Sequence, residues 1–230
     1  DKLLQIYVTK TNAYVCIFLD EGLGGTVNNS QSQKSICCVT DEFSAVNCLE
    51  TIKQGFETKL VICYETREDV IHLVKIVDKI LPRMLKSEVE LEFHKISKFG
   101  KKSEDLLSKN SLITNILIKS AKEKQISHIS LATSPLIFPS TYVETLQKRI
   151  FSAGIIPHIS LSGIDSEIMK NAKEIGMEKY VPKIEKFLKS NLTKSKSKLK
   201  NNEKTVKKII KVKLGPNNVH TILDSLEIEH

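Results

Sequence analysis

The sequence predicts an α/β protein built on a doubly wound, mostly parallel sheet of Rossmann type. Two observations predict it. Short strand-like runs start roughly every 25–40 residues along the chain, with amphipathic helical stretches between them, the signature of βαβ units. Several of the runs, such as SICCV and LVIC, are apolar throughout, as strands covered by helices on both faces are.

Each element has its own signal. Two β-rich runs before residue 20 flank Lys10-Thr11-Asn12 and read as a hairpin. Residues 21–34 are rich in Gly, Asn and Ser, a linker. A first buried strand is expected over residues 35–40. Ser44 then opens a helix with Val46, Leu49 and Ile52 on one face, stopped by Gly55. A second strand covers residues 59–64. Thr66 and Asp69 form a capping box for a helix that buries Val70, Leu73, Val74, Val77 and Leu81 and ends at Pro82. Further strands are expected at 89–96, 128–133 and 155–161, and helices at 111–124, 142–152 and 167–175. In such sheets ligands bind at the carboxyl ends of the strands, where the strand order reverses.

The chain has 230 residues, a net charge of +8 and a hydrophobic fraction of 40%. That is enough for one α/β domain with an appendage, and the basic balance favours an acidic partner, nucleic acid first. No apolar run reaches the ~18–20 residues that span a bilayer. No leader signature is present, so the expected location is the cytoplasm, with no membrane partner. The sequence opens at Asp1 rather than Met, as a fragment would. All five cysteines (Cys16, Cys37, Cys38, Cys48 and Cys63) fall in the first 63 residues without C-x-x-C spacing. They read as reduced, buried thiols, and no metal site is expected.

The stretch AYVCIFLDEGLGGTVNNSQSQKSICCVTDEFSAVNCLETIKQGFETKLVICYE resembles a known junction in the tRNA 4-thiouridine synthetase family, also called the thiamine-biosynthesis ThiI family. There an RNA-binding THUMP domain ends in a strand and leads through a glycine-rich linker into a PP-loop ATPase domain. Gly22, Gly24, Gly25 and Val27 match the linker, Ser44-Ala45-Val46 the end of the pyrophosphate loop, and LVICYE the second strand. ISLATSPLIFPSTYVETLQKRI and IIPHISLSGIDSEIMKNAKEIG are similar to later segments of the family, in the same order. The resemblance covers residues 3–180. It implies a PP-loop (HUP-like) domain over 35–182, the end of a THUMP-like domain over 1–20, the linker over 21–34 and a Lys-rich extension over 183–230.

The resemblance also locates the nucleotide site. The SGIDS stretch at residues 162–166 looks like the family's pyrophosphate loop S-G-G-x-D-S but falls too late in the chain, so Ser162 or Asp165 is expected to cap a helix instead. The position matching the true loop holds Val39-Thr40-Asp41-Glu42-Phe43-Ser44. Both glycines that let backbone amides approach phosphates are replaced, and Asp41 and Glu42 stand where the phosphates need no negative charge. Thr40, Asp41, Glu42, Phe43 and Ser44, with Tyr64, Thr133 and Ser134, therefore mark a degenerate nucleotide site with no catalytic residue assigned and no cofactor expected.

Two readings stay open. In the first, the protein is a non-adenylating RNA- or partner-binding protein, acting beside an active paralogue or as a homodimer. In the second it is an active ATP- and Mg-dependent tRNA sulfurtransferase with an altered loop, in which ATP adenylates a uridine of tRNA before sulfur is delivered. Residues 189–213 contain ten Lys and one acid. Lys194, Lys196, Lys198 and Lys200 would line one side of an extended chain, and Lys207, Lys208 and Lys211 one face of a helix, to neutralise RNA phosphates.

Overall fold

A computed structural model describes residues 5–8, 10–16, 30–84, 86–100, 103–135, 137–161, 166–174, 176–182 and 205–228. The strands are β1 (Gln5–Val8), β2 (Ala13–Cys16), β3 (Lys34–Val39), β4 (Glu57–Tyr64), β5 (Glu88–Lys95), β6 (His128–Ser130), β7 (Ile156–His158) and β8 (Val206–Lys213). The helices are α1 (Glu42–Lys53), α2 (Arg67–Ile80), α3 (Ser103–Glu123), α4 (Ser140–Ser152), α5 (Ser166–Glu174) and α6 (Asn218–Ser225). Among the described residues no helix is long and apolar enough to cross a membrane.

β1 and β2 pair antiparallel as the expected hairpin. The other six strands form one sheet in the order β7-β6-β3-β4-β5-β8. All its pairings are parallel except the last, β5 with β8. The five expected strands are all in this parallel set, though β6 and β7 stop after three residues each.

The sheet is covered on both faces, as its apolar strands require. Cys37 of β3 faces Cys48 of α1, whereas its neighbour Cys38 faces Ile113 and Leu117 of α3, the alternation that a pleated strand imposes. Ile36, Cys37, Val39, Val61 and Ile62 have no exposed surface, so the centre of the core is the β3–β4 pair. α2 starts at the expected capping box: the Thr66 side chain accepts the Asp69 N–H and the Asp69 carboxylate accepts the Thr66 N–H. It gives way to a 3₁₀ turn at Leu81–Met84, where Pro82 cannot continue an α-helix.

The Lys-rich segment departs from expectation. Lys207, Lys208 and Lys211 lie on strand β8, not on a helix, and β8 completes the sheet of the α/β domain instead of forming part of an extension beyond it. Strand alternation puts Lys207 and Lys211 on one face and Lys208 on the other. Ile210 and Val212 share the Lys208 face and are buried, with α6 packed against the strand. Lysine density in VKKIIKVK hides this period-2 apolar signal.

A buried charge network fastens β8 to the sheet. Glu92 of β5 is only 1% exposed. Its Oε1 lies 2.8 Å from His94 Nε2 and 3.3 Å from Lys207 Nζ. Its Oε2 accepts from Ser120 Oγ at 2.8 Å and meets Lys124 Nζ at 2.9 Å. Lys124 also binds Glu90, and Lys207 binds Glu123 at 2.6 Å. Burial alone would raise the Glu92 pKa, but hydrogen bonds from His94, Lys124 and Ser120 outweigh it and hold the carboxyl well below its usual range.

A depressed carboxyl stabilises the fold above its unfolded pKa, about 4.3, and that contribution is lost as pH falls toward the folded value. Glu92→Gln leaves Lys124 and Lys207 facing a neutral side chain in a buried site. Urea unfolding at pH 7 should show a loss of about 3–5 kcal/mol. Glu90→Gln, at a more exposed pair, should lose about 1 kcal/mol or less. Equal losses would mean that the network is not anchored on Glu92.

Candidate functional site

Successive strands step from β3 to β4 to β5 on one side, while β6 and β7 lie on the other. The order therefore reverses between β3 and β6, and the crevice beyond their carboxyl ends is where this architecture binds ligands. Residues 40–44 leave β3 into α1 at this point, and residues 131–134 follow β6.

The segment after β3 is a helix cap rather than a loop. Asp41 is the N-cap of α1, in extended conformation with φ −168°. Its Oδ1 accepts the Ser44 N–H at 2.8 Å. The Ser44 hydroxyl accepts the N–H groups of Thr40 at 2.8 Å and Asp41 at 3.0 Å and donates to the Asp41 carbonyl at 2.9 Å. Three backbone amides at this helix start, those of Thr40, Asp41 and Ser44, are thus taken up by the chain's own side chains. The Asp41 carboxylate also sits at the positive end of the helix dipole. Glu42 turns to α2, its Oε1 2.9 Å from His72 Nε2, and Phe43 is buried in the core at 4% exposure.

Thr40, Ser44 and Thr133 do come together. With Cys38 of β3 and Asn110 and Thr114 of α3 they help line a small cavity of about 20 Å³, room for about one water molecule. Thr133 is 2% exposed and its hydroxyl has no hydrogen-bond partner. Ser134 is fully buried, and its carbonyl accepts the amides of Ile137 and Phe138, closing the turn toward α4. Tyr64, half-buried at the end of β4, does not line the cavity. Burial raises its pKa, opposed by the positive charge of Lys208. Asn110 and Thr114 were not singled out from the sequence; their only signal is a pair of polar residues four apart on α3.

Cys37, Cys38, Cys48 and Cys63 are free and buried. Burial, then the neighbouring thiol, pushes Cys38 (beside Cys63) and Cys48 (beside Cys37) well up, so these thiols stay protonated and unreactive. Among the described residues no cluster of three or more His, Cys, Asp or Glu is arranged for a metal.

Of the lysines expected to meet RNA, Lys207 is held by Glu92 and Glu123 and Lys208 by Glu227 at 3.0 Å. Lys211 is exposed. Lys194, Lys196, Lys198 and Lys200, like the capping candidates Ser162 and Asp165, lie outside the described residues.

No family model and no curated protein matches the sequence. Solved structures do match in shape. A 4-thiouridine synthetase–RNA complex with bound ATP is similar at TM-score 0.58 and 16% identity, over 91% of this chain and 63% of that one. PH1313 from Pyrococcus horikoshii Ot3 is similar at TM-score 0.52 and 15% identity, over 75% of this chain and 50% of that one. The chain thus spans half to under two thirds of the length of these structures. The fold is the ThiI-like PP-loop α/β fold that the sequence resemblance implied.

If Asp41 serves as a cap, Asp41→Ala should lower stability by about 1 kcal/mol, and Asp41→Gly by only a few tenths. Thermal unfolding of the two variants measures this. An Asp41→Ala variant more stable than the parent would show that the carboxylate is strained rather than capping.

Proposed function

We propose that the protein is a non-adenylating relative of the 4-thiouridine synthetases that works in the cytoplasm by binding an acidic partner, RNA or protein, rather than by activating a substrate with ATP. The observation that carries this reading is the capped start of α1. A pyrophosphate there would have to displace the Asp41 carboxylate from the Ser44 amide. It would also meet the negative charge of Asp41, which repels it by roughly 1 kcal/mol in water and more in a cleft of lower dielectric, while Glu42 is turned to His72 on α2. The adjoining cavity takes about one water molecule. Burial pushes the Cys38 and Cys48 thiols up and makes them poor sulfur nucleophiles.

The net charge of +8 and the lysines of residues 189–213 support an acidic partner. The hairpin β1–β2 fits the end of a THUMP-like unit, and residues 21–34 a linker from it to the α/β domain. In an RNA-binding role, the lysines outside the sheet would neutralise phosphates without reading sequence.

Calorimetry with ATP and Mg²⁺ tests the central point. Binding should be no tighter than about millimolar, near 4 kcal/mol. A micromolar Kd, or AMP formed in the presence of tRNA, would establish the active sulfurtransferase reading in its place. The RNA contribution has its own measurement, tRNA affinity against salt. Changing Lys194, Lys196, Lys198 and Lys200 to Ala should flatten the log–log slope by roughly three units, at 0.7–0.9 per phosphate contact. Unchanged slopes would remove that segment from any RNA interface.

A further inference from the structure

The two edges of the six-stranded sheet are built differently. β7 has only three residues. Its Ile156 N–H donates to Ser127 and its His158 carbonyl accepts from Leu131, so Pro157 faces outward. Proline has no N–H, and the edge offers an incoming strand no donor there.

β8 is the opposite case. It has eight residues and no proline. The Leu214 N–H donates to the Ser87 carbonyl. In the antiparallel register with β5, residues 206, 208, 210 and 212 therefore bond inward, and Lys207, Ile209, Lys211 and Lys213 turn their N–H and C=O groups outward. The inward bonding of Ile96 to Tyr64 on the far side of β5 fits the same alternation. Among the described residues nothing pairs with this outer side.

The side chains of those four residues share one face. Lys207 is engaged by Glu92 and Glu123. Lys211 and Lys213 are exposed and make no ion pair within 4 Å among the described residues, and Ile209, between Lys207 and Lys211, is 44% exposed. Lysines on an edge repel a like edge, so a second copy of β8 is excluded as occupant by charge. The strand's inner side already shows what it accepts. Glu88 and Glu90 of β5 stand opposite Lys213 and Lys211, with Val89 and Leu91 between them, an acidic and apolar alternation.

We propose that the outer edge of β8 is a docking site for an acidic, extended polypeptide segment, which adds as a seventh strand through the outward backbone groups of residues 207–213 and sets carboxylates beside Lys211 and Lys213. This rests on the binding-protein reading above and names the partner it prefers. Recognition of this kind takes affinity from main-chain hydrogen bonds and selectivity from alternate side chains.

The test is a fluorescence titration of the full chain with two labelled ten-residue peptides, one alternating Glu and Val, the other Lys and Val. The acidic peptide should bind at least tenfold more tightly. Ile209→Pro removes an outward donor without removing a bond to β5 and should weaken the acidic peptide at least tenfold. The double variant Lys211→Glu, Lys213→Glu should invert the preference, and it decides the matter alone if circular dichroism shows Ile209→Pro unfolded. Equal binding of the two peptides overturns the proposal, as does indifference to both variants. So does an RNA oligonucleotide that binds where neither peptide does and is lost in the charge variant but not in Ile209→Pro. ATP binding in the calorimeter would overturn the non-adenylating reading and leave this result standing, so the two failures are distinguishable.

Discussion

The hydrogen bond from the Ser44 N–H to the Asp41 carboxylate governs what the carboxyl end of this sheet can hold. In a doubly wound sheet the first helix after the central strand points its amino terminus into the crevice, and its free amides and dipole attract an anion. Here the anion is part of the chain. With Ser44 returning a hydroxyl to the amides of Thr40 and Asp41, the box is closed from both ends. The consequences spread outward. Glu42 is freed to meet His72 on α2. Phe43 can turn into the core. The crevice holds a small cavity beside which the Thr133 hydroxyl stands without a partner.

A buried carboxylate, Glu92, does comparable work at the far side of the sheet. An antiparallel edge strand with four lysines among its eight residues is an unfavourable addition to a parallel sheet unless those charges are answered. The answer lies in β5, whose Glu88, Glu90 and Glu92 alternate along one face. Glu92 collects His94, Lys124 and Lys207 while Ser120 fills its remaining acceptor. Desolvating a carboxylate is expensive, and only near-complete pairing of this kind recovers it. The other side of β8 is held by ordinary burial of Ile210 and Val212. Together they turn a lysine-rich run into part of the domain.

How far the sequence reveals all this depends on which force sets each element. The parallel strands are legible because Ile36–Val39 and Leu60–Cys63 are continuously apolar, and α2 because Thr66 and Asp69 carry the capping box in their spacing. The second capping box, Asp41 with Ser44, has the same three-residue spacing. Its carboxylate reads as an obstacle to phosphates, and the structure adds that it is also a cap. β8 is illegible for a physical reason: Lys207 is answered by Glu92 and Glu123, on β5 and α3, and no local pattern records a long-range partner. VELEFHKI reads correctly as an alternating strand, but its polar face is covered by α3 and β8 rather than by water. The cavity's α3 wall, Asn110 and Thr114, depends on where a helix crosses a sheet, which residue spacing alone does not fix.

On the non-adenylating reading proposed above, a frame kept while the crevice changes has an energetic logic. Core contacts around β3 and β4 do not involve residues 40–42, so replacing a glycine-rich loop leaves the principal source of stability untouched. A glycine loop held open for a ligand is itself unfavourable, since it leaves amides unsatisfied and ordered glycines lose the most chain entropy. Closing that loop with an aspartate cap removes both penalties. In a protein from which nucleotide binding is not required, substitutions that relax a strained or unsatisfied site are the ones that stabilise a fold. The crevice of this protein fits that proposal: the Ser44 amide is capped by Asp41 and Phe43 is turned into the core. Among the described residues, backbone groups without a strand partner lie instead at the outer edge of β8, where the sheet ends.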